Sequence, residues 1–175
     1  MSTLTMNKRW AVGVLFLSIT ATADGAEMSA ALGVTTQGGI AARSGLGFDW
    51  GAAWFESTAG KLTGYWDVGY TYWQSGEEAG ERHSLSLAPV FVYESSRGGV
   101  SPFIEAGIGV SLFSGSRAGN QDFGSAFNFE DRVGVGLKFG QAQRVGVRVI
   151  HYSNAGIAQP NDGIESYSLF YAHAM

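Results

Sequence analysis

The chain has 175 residues and no cysteine; 45% of it is hydrophobic, 13% aromatic and only 15% charged. Its 26 glycines are about twice the ordinary share, while its charged residues fall well short of the usual roughly 25%. This balance excludes disorder, a disulfide scaffold and a cysteine-based metal or thiol site, and the formal net charge of −4 speaks against nucleic-acid binding.

The chain opens on a targeting pattern. Lys8 and Arg9 precede the stretch Trp10 to Ile19, apolar apart from Ser18, and Ala21-Thr22-Ala23 then supplies small residues. Basic, apolar and small residues in that order read as a secretory signal peptide over 1–23, which leaves 24–175 as one domain. Beyond it, no run approaches the ~20 apolar residues of a membrane-spanning helix.

From there the sequence divides into about eight segments of period-two alternation, near 27–37, 40–56, 61–74, 82–95, 100–114, 124–139, 142–153 and 164–174, separated by polar or glycine-containing turns. One face of each is apolar: Leu46 and Phe48 in the second; Trp66, Val68, Tyr70 and Tyr72 in the third; Ile104, Ile108 and Leu112 in the fifth; Val133, Val135 and Leu137 in the sixth. The other face is glycine-rich with isolated charges, and poor in the lysine that a soluble sandwich would show outside. These features predict an all-β fold, an eight-stranded antiparallel transmembrane β-barrel whose apolar face meets lipid. Arg43, Asp49, Glu105, Glu130, Arg132 and Arg148 are then expected to satisfy one another in a side-chain-filled interior. Trp50, Trp54, Tyr65, Trp73 and Tyr93, at segment ends, are expected in the interfacial girdles.

The lipid-facing pattern breaks once. In the seventh segment the row Val145, Val147, Val149 continues as His151 and Ser153, and in the eighth the row Tyr167, Leu169, Tyr171 begins with Glu165. Residues i and i+2 of a strand point the same way about 7 Å apart, and a neighbouring strand lies about 5 Å away. Ser153, His151 and Glu165 can therefore share the outer wall as nucleophile, base and orienting carboxylate, with Asn154 or nearby backbone N–H groups facing a developing oxyanion. The same residues also read as a strand leaving the membrane for a polar loop. An even-stranded barrel with both termini in the periplasm puts the seventh-to-eighth loop outside the cell, so the three residues are expected at outer-leaflet depth.

The run His151-Tyr152-Ser153-Asn154-Ala155-Gly156-Ile157, followed by Gln159-Pro160-Asn161-Asp162-Gly163-Ile164-Glu165-Ser166, resembles the signature of the lipid A 3-O-deacylase family, PagL. The resemblance continues upstream through Leu62-Thr63-Gly64-Tyr65-Trp66-Asp67, Ala88-Pro89-Val90-Phe91-Val92-Tyr93-Glu94, Pro102-Phe103-Ile104-Glu105-Ala106-Gly107-Ile108-Gly109 and Asn128-Phe129-Glu130-Asp131-Arg132. It implies an outer-membrane barrel that hydrolyses the ester at position 3 of lipid A in lipopolysaccharide, releasing a 3-hydroxy fatty acid, with no metal or organic cofactor. Its triad falls on His151, Ser153 and Glu165, and its oxyanion position on Asn154; Gly156 is added from its place in the same turn. The implied partners are lipid A and the outer-membrane lipids, and a homodimer is compatible with the resemblance. Two other readings stand beside it: a small non-catalytic barrel of the OmpX type, and an acyltransferase, which would need an interior hydrocarbon pocket.

Overall fold

The structure, a computed structural model, describes residues 25–74, 82–96, 98–118 and 121–175. The expected signal peptide lies outside the described residues. Among the described residues ten strands follow in chain order: β1 Ala26–Thr35, β2 Ile40–Asp49, β3 Gly60–Trp73, β4 Arg82–Ser95, β5 Val100–Phe113, β6 Arg117–Ala118, β7 Gln121–Asp122, β8 Phe127–Phe139, β9 Gln143–Ser153 and β10 Ile164–Ala174. The short pair β6 and β7 forms a ribbon in the connection after β5. The other eight close into an antiparallel barrel in the order β1-β10-β9-β8-β5-β4-β3-β2, each pairing with its chain neighbours and β1 with β10. Closure leaves no unpaired strand edge, which a hydrocarbon solvent requires.

Alternation sorts the side chains as the sequence indicates. Leu32, Ile108, Leu112, Val147 and Leu169 are exposed on the outside, whereas Glu105, Glu130, Arg132 and Arg148 are buried within. Arg43 donates to Asp67 Oδ2 at 2.5 Å and to Glu130 Oε2 at 3.4 Å. Arg132 donates to the same Asp67 oxygen at 2.7 Å and to Glu130 Oε1 at 3.0 Å. A second group joins Arg148 to Glu105 at 2.5 Å, Tyr65 to Glu105 at 3.1 Å and Arg144 to Glu27 at 2.9 Å. Charges taken out of water are tolerated here because each meets an opposite charge. Glycine makes the room: a Cβ on Gly69 would overlap the Arg43 guanidinium, and one on Gly134 would stand 2.9 Å from Glu105 Oε1.

Three expectations are corrected. Asp49 lies outside the network: the β2 ladder ends there, not at 56, and the exposed carboxylate accepts the Gly51 N–H at 2.5 Å in a turn where Gly51 has φ of +65°. Tyr65 and Trp73 are not girdle residues. Both lie on the inward row of β3, Tyr65 bonded to Glu105 and Trp73 donating from Nε1 to Ser84 Oγ at 2.9 Å. Trp54 and Tyr93 are exposed, as a girdle requires. Trp73 belongs instead to a plug with Phe113, Phe123 and Tyr152 that closes the interior at the end bearing the loops 114–126 and 154–163.

Candidate active site

β9 alternates Arg144, Gly146, Arg148, Ile150 and Tyr152 inward with Val145, Val147, Val149, His151 and Ser153 outward. Valines suit both strand geometry and an apolar surround. β10 contributes the outward row Glu165, Tyr167, Leu169 and Tyr171. The β9–β10 register places Glu165 directly opposite His151 and Tyr167 opposite Val149. Two polar side chains thus replace the apolar pair in one rung of the ladder.

The imidazole and carboxylate meet in that rung: His151 Nδ1 and Glu165 Oε1 lie 2.8 Å apart. An ionised carboxylate only accepts, so the ring donates from Nδ1 and Nε2 is left as the acceptor of the neutral imidazole. Both side chains remain reachable from outside, 40% and 35% exposed. Ser153 is two residues beyond His151 on the same strand and the same outward row, and its Oγ makes no hydrogen bond among the described residues. The structure therefore joins His151 to Glu165 and sets Ser153 beside them unbonded. Such contacts are often long in a free enzyme and tighten on substrate.

The loop after Ser153 is built around Asn154, which is fully buried. Its Nδ2 donates to the carbonyls of Phe123 and, at 2.9 Å, of Ala158; its Oδ1 accepts the Gly156 N–H at 2.8 Å; its own N–H donates to Asn161 Oδ1 at 2.9 Å. Ala155 and Gly156 both adopt left-handed backbone, φ +53° and +81°, which folds the chain tightly behind the serine. The donors of Asn154 and Gly156 are thus engaged in the loop, and the N–H of Ala155 has no partner among the described residues.

Three further residues touch this region without having been singled out in the sequence. Gly163, φ +68°, lies against the ring, where a Cβ would come within 2.9 Å of His151 Cε1; the Asn161-Asp162-Gly163 turn signature was the available signal. Asp131 on β8 is the rung partner of His151 on its other side and is exposed. Thr36, in the β1–β2 turn, donates from Oγ1 to Glu165 Oε2 at 3.1 Å. Below the rung an open groove of about 480 Å³ runs down the wall, lined by Val133, Val135, Val147, Val149, Tyr167 and Leu169 among others. Among the described residues no cluster of His, Cys, Asp or Glu is arranged to hold a metal ion.

Residues 36–174 match the family model described as lipid A 3-O-deacylase (PagL). The chain is 62% identical over 151 residues to the lipid A deacylase PagL of Pseudomonas aeruginosa, covering 86% of this chain and 87% of that one. It is 32% identical over 152 residues to the lipid A deacylase PagL of Bordetella bronchiseptica, covering 79% and 84%. A crystal structure of the outer membrane enzyme PagL superimposes with a TM-score of 0.83 at 60% identity, covering 85% of this chain and 99% of the other.

Proposed function

The chain belongs to the lipid A 3-O-deacylase (PagL) family, a hydrolase of lipid A in the outer membrane, and on that premise we propose that Ser153, His151 and Glu165 perform the hydrolysis on the outer wall of the barrel. Lipid A reaches the rung sideways, through the outer leaflet. Its 3-O-acyl chain lies in the groove below, between Val147 and Leu169, with the ester carbonyl at Ser153.

Ser153 Oγ attacks the carbonyl carbon while His151 Nε2 takes its proton, and Glu165 stabilises the imidazolium and fixes the ring's tautomer. The tetrahedral intermediate collapses as the bond to the sugar oxygen breaks and the imidazolium returns its proton to that oxygen. Water then attacks the acyl-serine by the same route, releasing the 3-hydroxy fatty acid and restoring Ser153. Asn154 and Gly156 serve the oxyanion by holding the left-handed turn; the Ala155 N–H is the donor that turn leaves unspent. No step calls for a metal or organic cofactor.

The observation that carries this reading is the 2.8 Å contact of His151 with Glu165 on the same outward row as Ser153. Its test is the mass of lipid A from cells expressing the wild-type chain or Ser153→Ala, with outer-membrane insertion verified for both. Loss of one hydroxyacyl group in the wild type alone is the expected result; continued deacylation by Ser153→Ala overturns the assignment of the nucleophile.

A further inference from the structure

The rung that holds His151 and Glu165 does not stop at β10. Thr35 pairs with Ser166 in the β1–β10 ladder, so Thr36 extends that ladder to the position opposite Glu165. Its N–H donates to the Glu165 carbonyl at 3.2 Å, and its side chain emerges on the same outward face. There Oγ1 donates to Glu165 Oε2 at 3.1 Å while Oε1 is held by His151 at 2.8 Å. Each carboxylate oxygen therefore has its own partner, one on either side of the strand.

An orienting carboxylate at a partly exposed position has a soft terminal torsion and water as a competitor. Two donors in one row fix its plane; a single donor would let it turn. The turn that carries Thr36 is itself held: Thr35 N–H donates to the Gly39 carbonyl at 2.8 Å, Gly38 N–H to the Thr35 carbonyl at 2.9 Å, and Gly39 N–H to Thr35 Oγ1 at 3.1 Å. Gly38, at φ +75°, supplies the left-handed residue that lets the chain reverse so soon after Thr36.

We infer that Thr36 is a positioning residue of the deacylase, the outermost member of a relay Thr36–Glu165–His151–Ser153 that runs across the seam where the first strand meets the last. This rests on the triad reading above. Thr36 touches neither ester nor serine; it acts by aiming Glu165 and, through Glu165, the imidazole.

The test compares wild type, Thr36→Val, Thr36→Ser, Glu165→Gln and the double variant Thr36→Val/Glu165→Gln, with lipopolysaccharide as substrate and released 3-hydroxy fatty acid as the readout. Folding is verified for each by the gel mobility of the unheated barrel. A hydrogen bond to a charged group corresponds to about a tenfold effect or more. Thr36→Val is expected to lower kcat about tenfold at unchanged KM, and Thr36→Ser to keep the wild-type kcat because it keeps the hydroxyl. In the Glu165→Gln background, Thr36→Val is expected to cost less than twofold. The inference is overturned by a wild-type kcat in Thr36→Val, by a loss confined to KM, or by the same tenfold loss with and without Glu165. If Thr36→Val fails to fold, Thr36→Ala takes its place in the same cycle. A fully active Glu165→Gln variant would instead refute the triad reading, a result distinct from any failure of Thr36 alone.

Discussion

Asn154, immediately after Ser153, donates from its side chain to the carbonyl oxygen of Phe123, 31 residues earlier, in the connection that follows β5. Phe123 is fully buried in the aromatic plug, so this bond ties the turn behind the serine to the packed interior of the barrel mouth. The tie is reinforced where Asp122 N–H donates to Asp162 Oδ2 at 2.9 Å and Asp162 N–H to the Asp122 carbonyl at 3.1 Å.

Replacing Asn154 tests that tie. Asn154→Asp keeps size and the acceptor for Gly156 but sets a carboxylate oxygen against the carbonyls of Phe123 and Ala158, where donors are needed. Activity is expected to fall at least a hundredfold while the barrel still inserts, and limited proteolysis should cut within 155–163 in the variant and not in the wild type. An intact loop with full activity would show that the two donor contacts do not govern the turn.

Gly163 sets how close the β9–β10 loop comes to the imidazole. Gly163→Ala puts a methyl group within 2.9 Å of His151 Cε1, at a backbone conformation that costs an L-residue about 1–2 kcal/mol. The ring must move, and in the triad we propose a displacement of about 1 Å is enough for a hundredfold loss. A large fall in kcat, with only a modest loss of thermal stability, is the expected outcome; normal turnover would mean the ring has slack in that direction.

The interior network carries a stability prediction independent of catalysis. Arg132→Leu strips Glu130 and Asp67 of an ion-pair partner each and leaves Arg43 as the one arginine paired with both. Breaking a buried pair from one side costs about 3–5 kcal/mol, more than replacing both partners with apolar groups. Urea unfolding of the lipid-embedded barrel should show that loss for Arg132→Leu and a smaller one for Arg132→Leu/Glu130→Leu. Equal midpoints for wild type and Arg132→Leu would contradict it.

How much of this was readable beforehand follows from what a local pattern encodes. Period-two alternation fixes which residues share a face, so parity carries the outward valines of β9, the inward Arg148 and the common outward face of His151, Ser153 and Glu165, whereas the register that sets Glu165 opposite His151 is fixed by the hairpin. For Tyr65 and Trp73 parity outweighs aromatic identity: they are odd-numbered in a strand whose even row, Trp66, Val68 and Tyr70, faces out. The same parity places Asp67 inside. Asp49 shares its row with Arg43, but parity says nothing once the ladder stops. Thr36 and Phe123 lay beyond reach for a different reason: each meets the site through a contact between distant segments, set by barrel closure and by loop docking, which no short-range spacing reveals.

The seam between β1 and β10 gives that closure a second meaning. Thr36 directly follows the first strand of the chain, and Glu165 lies in the last. A half-assembled chain whose two ends have not yet met has the hairpin bearing His151, Ser153 and Glu165, but its carboxylate keeps only the His151 partner. Completion of the cylinder is what brings the second partner to that carboxylate, so the polar row on the outer wall is whole only once the first and last strands are joined.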